Sequence, residues 1–205
     1  MWTKTEVMKE ALGFDKSERG LPYIVVQTSQ MSDYNRRESR TAFSQPGMRY
    51  SQAEALIKSL IKSLMQDDMF RGLSFEERKR VTERIIDEIK GRMMEDIVLL
   101  ETKLSKKNCE VFRLQFAIGE FDMVVFNPDE GTCEIYEIKH GKEVVPQQCK
   151  HLLDEQKCKD TEFRYDTITG KYVIYRGATT SLVKAGVETQ EDVAYLNVEE
   201  YLKKL

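Results

Sequence analysis

Asp122, Glu137 and Lys139 are residue types that together perform one defined piece of chemistry: two carboxylates bind a divalent cation, and a lysine holds or polarises what the cation binds. Their spacing brings them together only if the surrounding stretch folds as a β-hairpin, and that stretch has the pattern. Gly119 to Phe126 and Cys133 to Lys139 are rich in Val, Ile, Phe and Tyr, and Asn127-Pro128-Asp129-Glu130-Gly131 between them is strong turn chemistry. A four-residue loop from Pro128 to Gly131 pairs Asn127 with Thr132, and the same register sets Asp122 directly opposite Glu137. Cross-strand Cβ atoms lie roughly 4.5–5.5 Å apart, so like charges there destabilise the sheet unless something offsets them. A divalent cation would do that. Period-2 alternation then puts Lys139 on the same face as Glu137, one pleat further along.

Glu-x-Lys by itself carries little information. Glu88-Ile89-Lys90 is the same tripeptide, but it lies in a helical pattern, where residues two apart point about 200° from one another. A third carboxylate, Glu95, sits with Asp96 in Met93-Met94-Glu95-Asp96-Ile97-Val98-Leu99-Leu100, a helical segment apolar on most sides. Such a segment is buried, and a buried carboxylate needs a partner or a metal. Glu95 and Asp96 lie on one narrow wet edge, or pair with Arg92, or face a site.

Two readings stand open for Asp122, Glu137 and Lys139. One is a cross-strand salt-bridge ladder on a solvated sheet face. The other is metal-assisted hydrolysis of a phosphodiester, with Asp122 and Glu137 as ligands of Mg²⁺ or Mn²⁺ and the Ile138 carbonyl adding an oxygen. Glu95 would close the coordination or bind a metal water, and Lys139 would hold the scissile phosphate or polarise the attacking water.

The elements that must position these residues follow from pattern. Residues 1–45 read as an N-terminal connecting segment with a short amphipathic stretch (Glu6 to Leu12), a strand (Tyr23 to Gln27) and a polar loop from Thr28 to Ser44. A boundary near Pro46-Gly47 opens a second unit, 46–205. There Ser51 and Glu54 form a capping box before a helix with Ala55, Leu56, Leu60, Ile61 and Leu64 as its buried stripe. Ser74 and Glu77 cap a longer helix, with the stripe Val81, Ile85, Ile89, Met93, Ile97, Leu100 and Leu104. Glu110 to Ala117 reads as a strand, the hairpin follows, and Pro146 starts a helix running through Gln147, Leu152, Leu153 and Lys157. Lys171 to Gly177 and Ala194 to Leu196 read as strands, and Asn197 caps a last helix. The order is that of an α/β fold with a small mixed β-sheet flanked by helices.

A net charge of −3 over 205 residues is not that of a non-specific nucleic-acid binder, so any such role rests on local cations such as Lys142, Lys150 and Arg164. The four cysteines include no C-x-x-C pair, which argues against a zinc site or disulfide framework and for a reducing cytoplasm. No stretch approaches the ~20 apolar residues of a membrane span. His140 and His151, the only histidines, lack matched ligand spacing and read as surface or substrate-proximal groups. Gln147 and Gln148 are weaker candidates for contact with a substrate phosphate or base, and Tyr165, Tyr172 and Tyr175 read as packing residues.

Asp122, the fifteen-residue interval to Glu137, and Glu137-Ile138-Lys139 resemble the PD-(D/E)XK nuclease superfamily. Gly91-Arg92-Met93-Met94-Glu95 is similar to the helix that supplies an extra acidic residue in many members. Gln45-Pro46-Gly47-Met48-Arg49-Tyr50, with the hairpin and Lys171 to Gly177, resembles the C-terminal nuclease-like domain attached to a class of prokaryotic AAA+ ATPases. The resemblance implies a restriction-endonuclease-like core, a Mg²⁺- or Mn²⁺-dependent DNA nuclease with Glu95, Asp122, Glu137 and Lys139 in its site, and an ATPase partner. Here Phe121 stands before the aspartate where proline is usual, and no Gly-x-x-x-x-Gly-Lys-Ser/Thr pattern occurs, so the chain is not itself the ATPase. A catalytically silent module for nucleic-acid or protein binding and a plain oligomerisation domain, as in a homodimer, are the alternatives.

Overall fold

The structure is a computed structural model, and it describes residues 23–30, 37–43, 46–143, 145–179 and 193–205. The expected helix at Glu6 to Leu12 lies outside them. Strands β1 (Tyr23–Gln30), β2 (Arg37–Phe43), β3 (Glu110–Gln115), β4 (Glu120–Asn127), β5 (Thr132–Lys139), β6 (Thr167–Tyr175) and β7 (Val193–Asn197) line up in the order β2-β1-β3-β4-β5-β6-β7. The five strands from β3 to β7 form a mixed sheet: β3, β4 and β5 are an antiparallel meander, while β6 and β7 add parallel to β5. Helices are α1 (Pro46–Leu64), α2 (Asp68–Gly72), α3 (Phe75–Ser105), α4 (Glu155–Tyr165) and α5 (Val198–Lys204), with a 3₁₀ turn at Pro146–Cys149.

The sheet is covered on both faces, which is why β4 and β5 are buried along most of their length. On one face Val111, Met123, Val125, Tyr136, Ile138 and Ile174 meet Val98, Leu99 and Leu100 of α3. On the other, Phe112, Leu114, Phe121, Val124, Ile135 and Val173 meet Leu152 and Tyr165. Complete burial of a leucine such as Leu99 contributes about 1.5–3 kcal/mol, so the two layers hold the hairpin between them. The α3 cap has both halves of its box, with Ser74 Oγ accepting from the Glu77 N–H and Glu77 Oε2 accepting from the Ser74 N–H. In the hairpin turn Asn127 Oδ1 accepts from the Asp129 N–H, and Gly131 supplies the positive φ of +61°. The pairing Asn127↔Thr132 through Met123↔Tyr136 is the register read from the sequence. Asn197 caps α5 by accepting from the Glu199 and Glu200 N–H groups.

Several elements differ from the sequence reading. Within the run expected as a loop from Thr28 to Ser44, the described residues are strand: β1 continues to Gln30, and Arg37–Phe43 pairs antiparallel with it along its length. Alternating Arg37, Ser39 and Thr41 masked a strand behind polar composition. Helix α1 begins at Pro46 rather than after Ser51, using proline's fixed φ at the first helical position. Its inward side is Ala53, Ile57, Ile61 and Leu64, while Leu56 and Leu60 are 49% and 38% exposed. In α3 the sheet selects Met94, Val98, Leu99 and Leu100, leaving Val81 and Leu104 exposed. The segment is apolar nearly all round, so periodicity could not choose the face. The helix expected from Pro146 to Lys157 is broken: Asp154 Oδ1 accepts the Lys157 N–H and starts α4 afresh, while fully buried Leu152 drops into the core between the two turns. No helix among the described residues is long and apolar enough to cross a membrane.

Candidate functional site

The β4–β5 ladder stops at Met123↔Tyr136, and the two strands part beyond it. On the other side of β4, Phe112 pairs with Val124 and Leu114 with Phe121, so Asp122 and Met123 together oppose the single residue Arg113. This is a β-bulge, the device that re-aims a strand side chain. Asp122 turns its carboxylate toward β5 and substitutes for the missing backbone acceptor: Oδ2 accepts from the Ile138 N–H at 2.7 Å. The bulge is a tertiary outcome with no mark in the alternation of apolar residues.

Lys139 closes the cluster. Its Nζ lies 3.0 Å from Asp122 Oδ2 and 2.5 Å from Glu137 Oε2. Asp122 and Glu137 are buried, at 4% and 2% exposure, so two carboxylates share one ammonium in a setting where charge is costly. Burial opposes the charge on Lys139, but Asp122 and Glu137 outweigh it and hold the ammonium well above its ordinary range. Burial first, and the Asp122 charge second, push the Glu137 carboxyl up to about 8 against the pull of Lys139. Glu137 Oε1 is buried with no hydrogen-bond partner. An orphaned, buried carboxylate oxygen beside a second carboxylate is the donor set that a hard divalent cation satisfies, so the residues present fit Mg²⁺ or Mn²⁺. As they stand, no three His, Cys, Asp or Glu side chains among the described residues are gathered as a ready metal cage. The cation between Asp122 and Glu137 is Lys139.

Glu95 enters from α3, but its partner is not Arg92. Arg92 pairs with Glu88 one turn back, and Glu95 Oε2 accepts from Arg113 Nη2 at 2.6 Å. Burial and the nearby Asp122 raise the Glu95 carboxyl to about 6, with Arg113 acting in the opposite sense. Arg113, which also reaches Glu120 at 3.5 Å, has no counterpart among the candidate residues read from the sequence. Its signal was there: a lone arginine in Val111-Phe112-Arg113-Leu114, an otherwise apolar strand.

A cleft of about 460 Å³ opens on this side, lined among others by Arg92, Glu95, Arg113, Ile138, Lys139 and His140. His140 Nε2 lies 3.1 Å from Arg176 Nη1 at its rim. Gln147, Gln148 and Lys142 are not among the lining residues. Gln148 closes its own loop, donating to the Glu143 carbonyl and accepting from the Val145 N–H, while Gln147 and Lys142 are exposed. Tyr165, Tyr172 and Tyr175 are packing residues, against Phe112, Tyr136 and Tyr195 respectively.

Fold and site together define an α/β protein whose mixed sheet parts to hold a buried acidic pair and a lysine beside an open cleft. No family model matches the chain, and neither a curated protein nor a solved structure matches it.

Proposed function

We propose that this chain is a metal-dependent phosphodiesterase, a nuclease-like domain of the PD-(D/E)XK type with a restriction-endonuclease-like core, acting on DNA. The observation that carries the reading is the pairing of an orphaned buried Glu137 oxygen with Asp122 at the point where β4 and β5 part. Asp122 and Glu137 would hold Mg²⁺ or Mn²⁺, with the Ile138 carbonyl and Glu95 in support. When bound, the metal supplies an activated water and offsets charge on the phosphate.

The protein's own groups have separable tasks. Lys139 is an ammonium at neutral pH, so it acts as a donor and a positive charge for a phosphate oxygen and not as a base. Asp122 fixes the backbone of Ile138 and thereby the direction of Glu137 and Lys139 on either side of it. Arg113 holds Glu95 at the cleft wall. The sheet layers above and below exclude water from Glu137, which strengthens every electrostatic contact there.

The chain would work in the cytoplasm as the C-terminal part of, or companion to, an AAA+ ATPase. A second reading, a nuclease-fold module that contacts nucleic acid or protein without cleaving, is favoured by the Arg113–Glu95 ion pair, which occupies the third carboxylate. Calorimetric titration with Mn²⁺ tests the metal site: wild type binds, Asp122→Ala and Glu137→Ala do not, and equal behaviour of all three proteins rejects it. Lys139→Ala should keep Mn²⁺ binding and lose cleavage of linear, branched and single-stranded DNA about a thousandfold. Binding without cleavage in the wild type would select the silent module.

A further inference from the structure

Beside Gly119, at the start of β4 and outside the residues that line the cleft, lies a second cationic group that the catalytic cluster does not use. Lys157, on the first turn of α4, is only 9% exposed. Its ammonium has no carboxylate partner among the described residues. Nζ lies 2.6 Å from His151 Nδ1 and 5.2 Å from the centre of the Phe116 ring, and these are its contacts. A buried ammonium ordinarily has a carboxylate beside it, because an aromatic face and a neutral imidazole offset only part of the cost of removing the charge from water.

The arrangement fixes the histidine. With the ammonium donating to Nδ1, the imidazole is neutral and carries its proton on Nε2. Burial, then Lys157, then Lys150 and Lys139 lower the His151 pKa, and Asp122 acts in the opposite sense, so the ring feels two members of the catalytic cluster. The ring lies against the backbone of Gly119, where φ is +79°. A Cβ there would stand 2.6 Å from His151 Cε1, 2.9 Å from Nε2 and 3.1 Å from Lys157 Nζ. Only glycine allows this approach. Gly119 immediately precedes β4, three residues before Asp122, so the pair lies close to the carboxylates in the chain.

We propose that Lys157 and His151 form an oxyanion site for a backbone phosphate of the substrate, next to the phosphate that is cut. The Lys157 ammonium and the His151 Nε2–H converge beside Gly119, and a phosphate oxygen supplies the counter-ion that no described residue provides. Lys157 is also a positioning residue, since it sets the tautomer that makes His151 a donor. The proposal rests on the nuclease reading for the identity of its ligand. Inorganic phosphate offers the same chemistry from a different source.

The test is binding of a short fluorescent DNA duplex by anisotropy in Ca²⁺, which avoids cleavage, across a range of salt, with inorganic phosphate as a separate arm read by thermal shift. Lys157→Met keeps the length and packing of the side chain, and His151→Gln keeps a donor of similar reach. Lys157→Met should weaken DNA binding about tenfold and reduce the slope of log K against log salt by about one, the signature of one lost phosphate contact. His151→Gln should weaken binding less and leave the slope unchanged, and both variants should bind Mn²⁺ like wild type. A folded Lys157→Met protein with wild-type affinity and slope overturns the proposal. If phosphate stabilises wild type but not Lys157→Met while DNA does not bind, the anion site stands and the DNA ligand falls. If Asp122→Ala retains Mn²⁺ binding while the Lys157→Met slope changes as expected, the metal-site reading fails and the phosphate site survives.

Discussion

Strand β5 carries two Glu–Lys clusters, one at each end, and they obey different rules. At the start of the strand Glu134 Oε2 accepts from Lys106 Nζ at 2.9 Å and from the Tyr136 hydroxyl at 2.9 Å. The pair is about one-third exposed, one carboxylate meets one ammonium, and water reaches both. At the end of the strand two buried carboxylates meet one ammonium, and one oxygen has no partner. The first arrangement is what stability alone produces. The second is less favourable for the folded chain than a simple ion pair, and a protein keeps such a cluster when something else completes it. The identical tripeptide at Glu88-Ile89-Lys90 makes the same point from a third position: there Glu88 pairs with Arg92 on the helix surface and nothing is strained.

The largest test of this contrast is metal affinity. Glu137→Ala should abolish Mn²⁺ binding and lower cleavage about a thousandfold or more, whereas Glu134→Ala should leave both unchanged while reducing stability by about 1 kcal/mol. Metal binding that depended equally on both glutamates would dissolve the distinction between the two ends.

Removing the lysine from each end comes next. Lys139→Met strands two buried carboxylates, which should cost about 2–3 kcal/mol in denaturant unfolding, discounted because the lysine is 34% exposed. Saturating Mn²⁺ should recover most of that loss, since a divalent cation replaces the missing charge. Lys106→Met should cost about 1 kcal/mol or less, and Mn²⁺ should not restore it.

Acid–base linkage separates the ends further. The Glu137 carboxyl titrates near pH 8 in the folded chain, above its ordinary value of 4.5, so the folded state holds a proton that the unfolded state has lost between those limits. Stability linked to that proton is fully present below about pH 4.5 and is lost as pH rises through about 8. Glu137→Gln cannot titrate, so its melting temperature should rise relative to wild type between pH 5 and pH 9, by an amount worth roughly 4 kcal/mol. Glu95 shifts in the same sense to about 6, but it is present in both proteins and largely cancels from the difference. A constant difference across that range would show that Glu137 is already ionised and satisfied.

What the sequence made legible here, and what it did not, divides along the range of the interactions. The hairpin register, Asn127 against Thr132, was readable because turn chemistry and period-2 alternation are local. The convergence of Asp122, Glu137 and Lys139 was expected from an Asp122–Glu137 pair, but the ladder ends at Met123↔Tyr136, and the bulge with the Ile138 N–H bond brings the aspartate to β5 instead. Arg113 beside Glu95 was not readable, because β3 and α3 meet only in the tertiary fold. The bulge at Asp122-Met123 and the Lys157–His151 contact likewise depend on packing between elements. The face of α3 was hidden for another reason: with apolar residues on most sides, periodicity had nothing to discriminate, and the sheet decided.

The smallest expected effect is at the completed end of β5. Tyr136→Phe deletes one hydroxyl that donates to Glu134, and the ring stays stacked on Tyr172 with centroids 4.9 Å apart. Lys106 remains on the same oxygen, so no charge is stranded. Loss of one such hydrogen bond should cost about 0.5–1.5 kcal/mol, measurable as a shift of the urea midpoint at unchanged slope. Mn²⁺ affinity and cleavage should stay at wild-type values, because the Tyr136 hydroxyl is engaged with Glu134 and touches neither Asp122, Glu137 nor Lys139. A change in metal affinity in this variant would mean that the two clusters communicate along the strand, and the excess charge at Glu137 could then no longer be read as a property of its own end.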